Sequence, residues 1–254
     1  MKFVHRVSKG SKFNQIYIPR EMENVFDIGD LVEVKLLEKS LKLYYSNNLL
    51  KLTEFKEKLI REIFSFLSKF KEIEQIFVVG SFLIQKIEYN DIDIIIIMDN
   101  KKLEEIVYNK LVDKFNLKFH LITITKNSFY YLKQVCPLTR SMFYYGVSNK
   151  EFEILPRKTD KKHINFLLMM PEDLLEINVN SRVFYDNIRR LITIERFLEG
   201  KDEDPIKVDN ELKILTGDIL FGYIKNNDNL DIKEMKKLRE IIKMKLGKIN
   251  KLLK

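Results

Sequence analysis

Two aspartates one residue apart, Asp91-Ile92-Asp93, open directly into Ile94-Ile95-Ile96-Ile97. No other stretch limits the fold so tightly. Strand side chains alternate faces, so Asp91 and Asp93 point the same way. Four consecutive isoleucines are apolar on both faces, which requires a central strand covered on both sides. Upstream, the apolar run Phe77-Val78-Val79 ends in Gly80-Ser81, a turn signal after a second buried strand. Two adjacent carboxylates repel each other, and a hard divalent cation with oxygen ligands relieves that repulsion. The Gly80-Ser81 turn, read as leading into a short helix, offers N–H groups and a hydroxyl suited to phosphate. A surface hairpin with two solvated aspartates is the bland alternative, and it leaves Ile94 to Ile97 unexplained.

This pattern of apolar strand, Gly-Ser, a short spacer and Asp-x-Asp on the next strand resembles the nucleotidyltransferase superfamily, which includes DNA polymerase β and small antitoxin-like nucleotidyltransferases. Gly80, Ser81, Asp91 and Asp93 carry the resemblance, flanked by an amphipathic helix before and helix–strand–helix after. It implies transfer of a nucleoside monophosphate from a nucleoside triphosphate, with ATP the expected donor. Asp91 and Asp93 would hold Mg2+ or Mn2+, and Gly80 and Ser81 would bind the leaving phosphates. The family places a third carboxylate on the strand after the intervening helix. Here that strand reads Leu117-Lys118-Phe119-His120-Leu121-Ile122-Thr123-Ile124-Thr125, with no Asp or Glu, and the acidic position falls on His120. Lys118 and Ile122 share its strand face. A neutral imidazole can ligate a metal or accept the nucleophile's proton, and manganese tolerates nitrogen better than magnesium does. Alternatively, His120 is a satisfied histidine in a site that no longer turns over.

The chain of 254 residues is long enough for two or three domains. Its 45% hydrophobic and 32% charged content is that of a globular protein. No apolar run reaches membrane-spanning length, no apolar signal region follows Met1 to Arg6, and the single Cys136 suits a reducing compartment. The expected location is therefore the cytoplasm. The three histidines are scattered without zinc-ligand spacing. A net charge of +8 permits nucleic-acid contact. The excess is spread along the chain, however, with eight basic against six acidic residues in 1–47, and only residues 231–254 are markedly basic.

Three segments emerge. In 1–47, strands are expected at Lys2–Val7, Gln15–Ile18 and Leu31–Leu37, with a short helix near Arg20–Phe26. Lys9-Gly10, Ile16-Tyr17-Ile18-Pro19 and Gly29-Asp30-Leu31-Val32-Glu33-Val34 resemble the AbrB/SpoVT swapped-hairpin family. That resemblance implies a homodimer with interleaved hairpins and DNA contact through Arg6, Lys9, Lys12 and Arg20, or a module that dimerises without touching DNA. Residues 48–150 are the nucleotidyltransferase core. Helices are expected at Leu52–Phe70, Lys101–Phe115, near Ser128–Val135 and after Pro137, and strands at Gln75–Val79, Asp91–Met98 and Lys118–Thr125. Residues 151–254 are read as helical, with helices at Ser181–Glu199, Lys207–Ile224 and Asp231–Leu253. The fold class is α+β: a mixed sheet with helices, a small β module before it and a helical domain after it.

Weaker constellations have ordinary explanations. Arg157 and His163 have the spacing of HEPN ribonucleases, but lie in a Lys-rich stretch read as loop. Arg182, Arg189 and Arg196 repeat every seven residues on one helical face, where solvated charge is the common outcome. Tyr130-Tyr131 and Phe143-Tyr144-Tyr145 could stack a base, although core packing is the simpler reading. The functional expectation is metal-dependent nucleotidyl transfer to a protein, RNA or small-molecule hydroxyl. Its competitor is a degenerate nucleotidyltransferase fold serving as a dimeric DNA-binding regulator or nucleotide sensor.

Overall fold

A computed structural model describes residues 3–35, 41–49, 51–84, 89, 91–153 and 155–254. The chain divides into two units, Met1–Ser40 and Leu41–Lys254.

In the first unit, β1 (Ser8–Lys9) and β2 (Asn14–Gln15) pair antiparallel, and a single 3-10 turn at Arg20–Met22 follows Pro19. The hairpin keeps the expected centre, but its paired residues lie close to the turn instead of along Lys2–Val7 and Gln15–Ile18, and residues 31–35 form no strand within one chain. Lys2, Leu36 and Leu37 lie outside the described residues. The cause is physical: a segment this short has no second surface on which to bury a strand face. Leu31 and Ile28 are fully exposed, and Phe13, Val4 and Val34 are mostly so.

The second unit begins before the expected boundary at residue 47. Its first strand, β3 (Tyr44–Tyr45), pairs with Ser148 and Val147 and so belongs to the larger sheet. There follow α1 (Glu54–Leu67), β4 (Gln75–Val79), β5 (Ile92–Ile97), α2 (Glu104–Phe115), β6 (Phe119–Ile124), α3 (Lys126–Val135), α4 (Pro137–Met142) and β7 (Gly146–Ser148). The five strands are ordered β3-β7-β4-β5-β6; only β5 and β6 run parallel.

Alternation along β5 builds two cores. Ile92, Ile94 and Ile96 join Val78, Ile60, Phe64, Val107 and Leu111 beneath α1 and α2. Ile95 and Ile97 join Phe77, Val79, Phe129 and Phe143 beneath α3. Ile94 to Ile97 are each at most 3% exposed, and burying one such side chain contributes about 1.5–3 kcal/mol. The Thr53 hydroxyl caps α1 by accepting from the Lys56 N–H, and Thr125 caps α3 by accepting from Ser128.

Five helices complete the unit: α5 (Lys161–Asp173), α6 (Ser181–Leu198), α7 (Pro205–Thr216), α8 (Asp218–Asn226) and α9 (Ile232–Leu252). α6 is buried along most of its length and centres their core. The one long helix expected over Lys207–Ile224 is two, because Gly217 adopts φ +84° and stops α7. α5 begins within the Lys-rich stretch around Arg157 and His163 that was expected to be loop. Asp160 caps it, accepting from the His163 N–H at 3.1 Å, and Ile164, Leu167 and Leu168 are buried. Phe166, Met169 and Met170 are exposed on the same helix, which blurs its apolar stripe in the sequence. Among the described residues, no helix is long and apolar enough to cross a membrane.

Candidate active site

Antiparallel register sets Val79 opposite Asp93 at the end of β4. The chain then turns through Gly80, whose φ of +80° lies in the left-handed region. A Cβ on Gly80 would sit 2.1 Å from Asp93 Oδ2. Glycine is therefore required twice, by the backbone angle and by the carboxylate that fills the vacant space. Beyond it, Leu83 N–H donates to the Gly80 carbonyl and Ile84 N–H to the Ser81 carbonyl, both at 3.2 Å. This is a tight turn, where a short helix was expected; residues 85–88 and 90 lie outside the described ones. Ser81 is half-buried at its start.

Asp91 stands just before β5 and Asp93 within it, both half-buried. Burial pushes the Asp93 carboxyl above its ordinary value, the Asp91 charge adds to that rise, and the bond to His120 opposes it. Parallel pairing of β5 and β6 sets His120 directly across from Asp93. Its Nδ1 lies 2.9 Å from Asp93 Oδ1. A proton on Nδ1 makes this a donor to the carboxylate and leaves Nε2 as the basic nitrogen of a neutral ring. Ile122 packs beneath the same face with Ile95 and Ile97.

The expected Gly80, Ser81, Asp91, Asp93 and His120 thus gather at one end of the sheet. A residue that sequence reasoning passed over touches the end of the turn that follows Gly80. Lys56, in the first turn of α1, donates from Nζ to the Ile84 carbonyl at 3.2 Å and lies 5.2 Å from the Phe82 ring centroid. Burial pushes its pKa down. Nothing in the sequence signals this, because the helix arrives from before β4.

The donor set fits one hard cation better than two. Magnesium retains water and nucleotide phosphates and takes one or two protein carboxylates, which Asp91 and Asp93 supply. Among the described residues, no three or more His, Cys, Asp and Glu side chains converge to hold a metal. A second ion would need a further carboxylate, and His120 stands across from Asp93 instead.

Other marked residues are engaged elsewhere. Arg157 binds Glu203 at 2.8 Å and the Phe197 and Lys201 carbonyls, while His163 meets the Tyr131 ring edge; the two do not converge. Arg182, Arg189 and Arg196 pair with Asp186, Asp209 and Asp202. Tyr130, Tyr131, Tyr144 and Tyr145 donate to Glu153, Asp160, Asp202 and Asp204, and Phe143 is in the core. In the first unit, Arg6, Lys9, Lys12 and Arg20 are exposed.

Residues 57–166 match the family model described as "Nucleotidyltransferase domain". The match spans the Gly-Ser turn, both aspartates and His120, and it supports nucleotidyl transfer from a nucleoside triphosphate. No curated protein and no solved structure matches the chain.

Proposed function

We propose that this protein is a metal-dependent nucleotidyltransferase that moves a nucleoside monophosphate, with ATP the expected donor, onto a hydroxyl of a protein, RNA or small molecule. One observation carries the reading: Gly80 leaves open the space that the Asp93 carboxylate fills, beside Asp91 and across from His120, within the span that matches the nucleotidyltransferase domain. An isolated carboxylate pair lowers stability, and a ligand that neutralises it gives a reason to build it.

The reaction joins the acceptor oxygen to the α-phosphorus and breaks the bond from that phosphorus to the bridging oxygen, releasing pyrophosphate. Asp91 and Asp93 would hold Mg2+ or Mn2+, which supplies charge neutralisation and orients the phosphates. The Gly80-Ser81 turn binds the leaving phosphates through N–H groups and the Ser81 hydroxyl. His120, fixed by Asp93, takes the acceptor's proton at Nε2. The single buried Cys136, free of any disulfide, suits cytoplasmic work.

A second reading is favoured by the first unit. Its exposed Leu31, Val32, Val34 and Phe13 fit a homodimer in which a second copy covers them, and exposed Arg6, Lys9, Lys12 and Arg20 fit DNA. With the third carboxylate replaced, the fold would then serve a dimeric regulator or nucleotide sensor.

The deciding experiment incubates the full chain with each α-labelled nucleoside triphosphate, with magnesium or manganese, and with lysate RNA and protein. Metal-dependent labelling of either supports transfer. Nucleotide binding without labelling under any condition supports the regulator.

A further inference from the structure

β6 ends the sheet, and among the described residues no strand pairs with its outer edge. The direction of its backbone groups follows from two bonds. Ile92 N–H donates to the Lys118 carbonyl and Met98 N–H to the Ile124 carbonyl, both at 3.1 Å. Residues of even number in this strand therefore turn their N–H and C=O toward β5. Phe119, Leu121 and Thr123 turn theirs outward at extended-chain spacing; Phe119 is buried at 4% exposure, so the accessible donors and acceptors are those of the half-buried Leu121 and Thr123.

Edge strands are normally blunted by lysine, proline or a bulge. Phe119-His-Leu-Ile-Thr-Ile124 has no proline and no formally charged side chain, and it pairs with β5 without interruption. Beside it runs a shallow depression, lined by Lys102, Glu105 and Tyr108 together with Phe119, His120 and Leu121. His120 is thus both the residue opposite Asp93 and a wall of the groove along the free edge.

We infer that the acceptor is an extended polypeptide segment that adds to the outer edge of β6 as a sixth strand and presents a serine, threonine or tyrosine hydroxyl to His120. The inference rests on the transferase reading above and names its acceptor. Main-chain amides are the chemistry that matches the outward groups of Leu121 and Thr123. RNA and small metabolites lack that repeat. The geometry also places the hydroxyl. His120 spends its own backbone groups on β5, so it forms a non-hydrogen-bonded pair with a strand added antiparallel, the closer kind, with Cα atoms about 4.5 Å apart. Side chains so paired share a face and touch. The hydroxyl opposite His120 therefore reaches the imidazole. Its oxygen bonds to the α-phosphorus as the bond to the pyrophosphate oxygen breaks; its proton goes to Nε2, and pyrophosphate leaves with the electron pair.

The test labels lysate with α-labelled ATP and manganese, using the full chain, and splits the product between nuclease and protease. Label that resists nuclease and is destroyed by protease is expected. Leu121→Pro removes an outward N–H without touching the β5 ladder, and it should lower protein labelling at least tenfold in a variant whose melting curve shows it folded. Label found in nuclease-sensitive material would overturn the polypeptide acceptor and leave the transferase reading standing. Absence of any label, with either metal, would instead remove the reading beneath it. Undiminished protein labelling by folded Leu121→Pro would overturn edge docking. A second measurement needs no variant: hydrogen exchange on the wild type with an alternating valine–serine peptide flanked by lysines. Slowing of the Leu121 and Thr123 amides, lost when the peptide's edge-facing amides are N-methylated, is expected. Unchanged exchange overturns the proposal. So does protection already present in the free protein that vanishes on dilution, since a second copy would then occupy the edge.

Discussion

Gly80→Ala isolates the most specific contact in the site. At φ +80° an L side chain costs about 1–2 kcal/mol over glycine. The added methyl would also lie 2.1 Å from Asp93 Oδ2 and 3.0 Å from its carboxyl carbon, so that carboxylate must move. Moving it breaks the 2.9 Å bond to His120; hydrogen bonds to charged groups contribute about 1.5–3 kcal/mol. The Asp93 side chain is 26% exposed, and water replaces part of that bond. The expected total is about 2–4 kcal/mol. For a unit of this size that lowers the melting temperature by roughly 5–15 °C. A double-mutant cycle separates the two parts. With Asp93→Ala the nearest remaining atom of residue 93, its Cβ, would be 3.4 Å away, so Gly80→Ala should then cost only the backbone part, about 1–2 kcal/mol. Thermal and urea melts of the four proteins measure this. An equal cost in both backgrounds would show that Asp93 does not occupy the space left by Gly80, and the site would have to be redrawn.

Further outcomes are expected. The folded state holds the Asp93 proton to higher pH than the unfolded chain does, chiefly through burial, so ionising this group lowers stability as pH rises from the ordinary carboxylate range through the raised value. Without metal, Asp93→Asn should accordingly melt higher than wild type at neutral pH, the gap closing near about pH 3, and together with Asp91→Asn it should abolish metal-dependent nucleotide binding in calorimetry. His120→Ala should slow transfer by about 10²–10⁴, and His120→Asp should move the metal preference from manganese toward magnesium in the labelling assay. Removing residues 1–40 should convert a dimer to a monomer in light scattering; a monomeric full chain at micromolar concentration refutes the swapped-hairpin reading. Salt-sensitive DNA binding lost on Lys12→Ala plus Arg20→Ala would favour the regulator.

Local rules made part of this molecule legible. Strand parity alone put Asp91 and Asp93 on one face and required cover above and below Ile94–Ile97; the two cores on either side of β5 are that cover. Helical spacing found α1, α2, α6 and α9 within a few residues. What escaped has identifiable causes. β7 is three residues, too short for alternation to register, yet it lies between β3 and β4. α5 shows apolar residues on its solvent side as well as its core side, so its period is hidden. The helix expected over Lys207–Ile224 runs through Gly217, whose positive φ divides it in two. Lys56 reaches the Gly80–Ile84 turn by tertiary packing, and no spacing rule spans the gap between α1 and the loop after β4.

With His120 where the resemblance puts the third carboxylate, the division of labour in the proposed site would change. Three acids would hold two divalent ions, and the ion at the nucleophile would make the acceptor oxygen reactive. With two acids, Asp91 and Asp93, the charge balances one ion accompanying the triphosphate, and a second ion would bring positive charge without a matching ligand. The acceptor's proton then needs a base of its own. An imidazole oriented by a carboxylate is the common solution, since a bond at Nδ1 fixes both tautomer and ring plane. Asp93 supplies that bond from the opposite strand at 2.9 Å. In the transferase reading the same carboxylate would help to hold the metal and would also orient His120, and Gly80 leaves clear the space that this carboxylate fills.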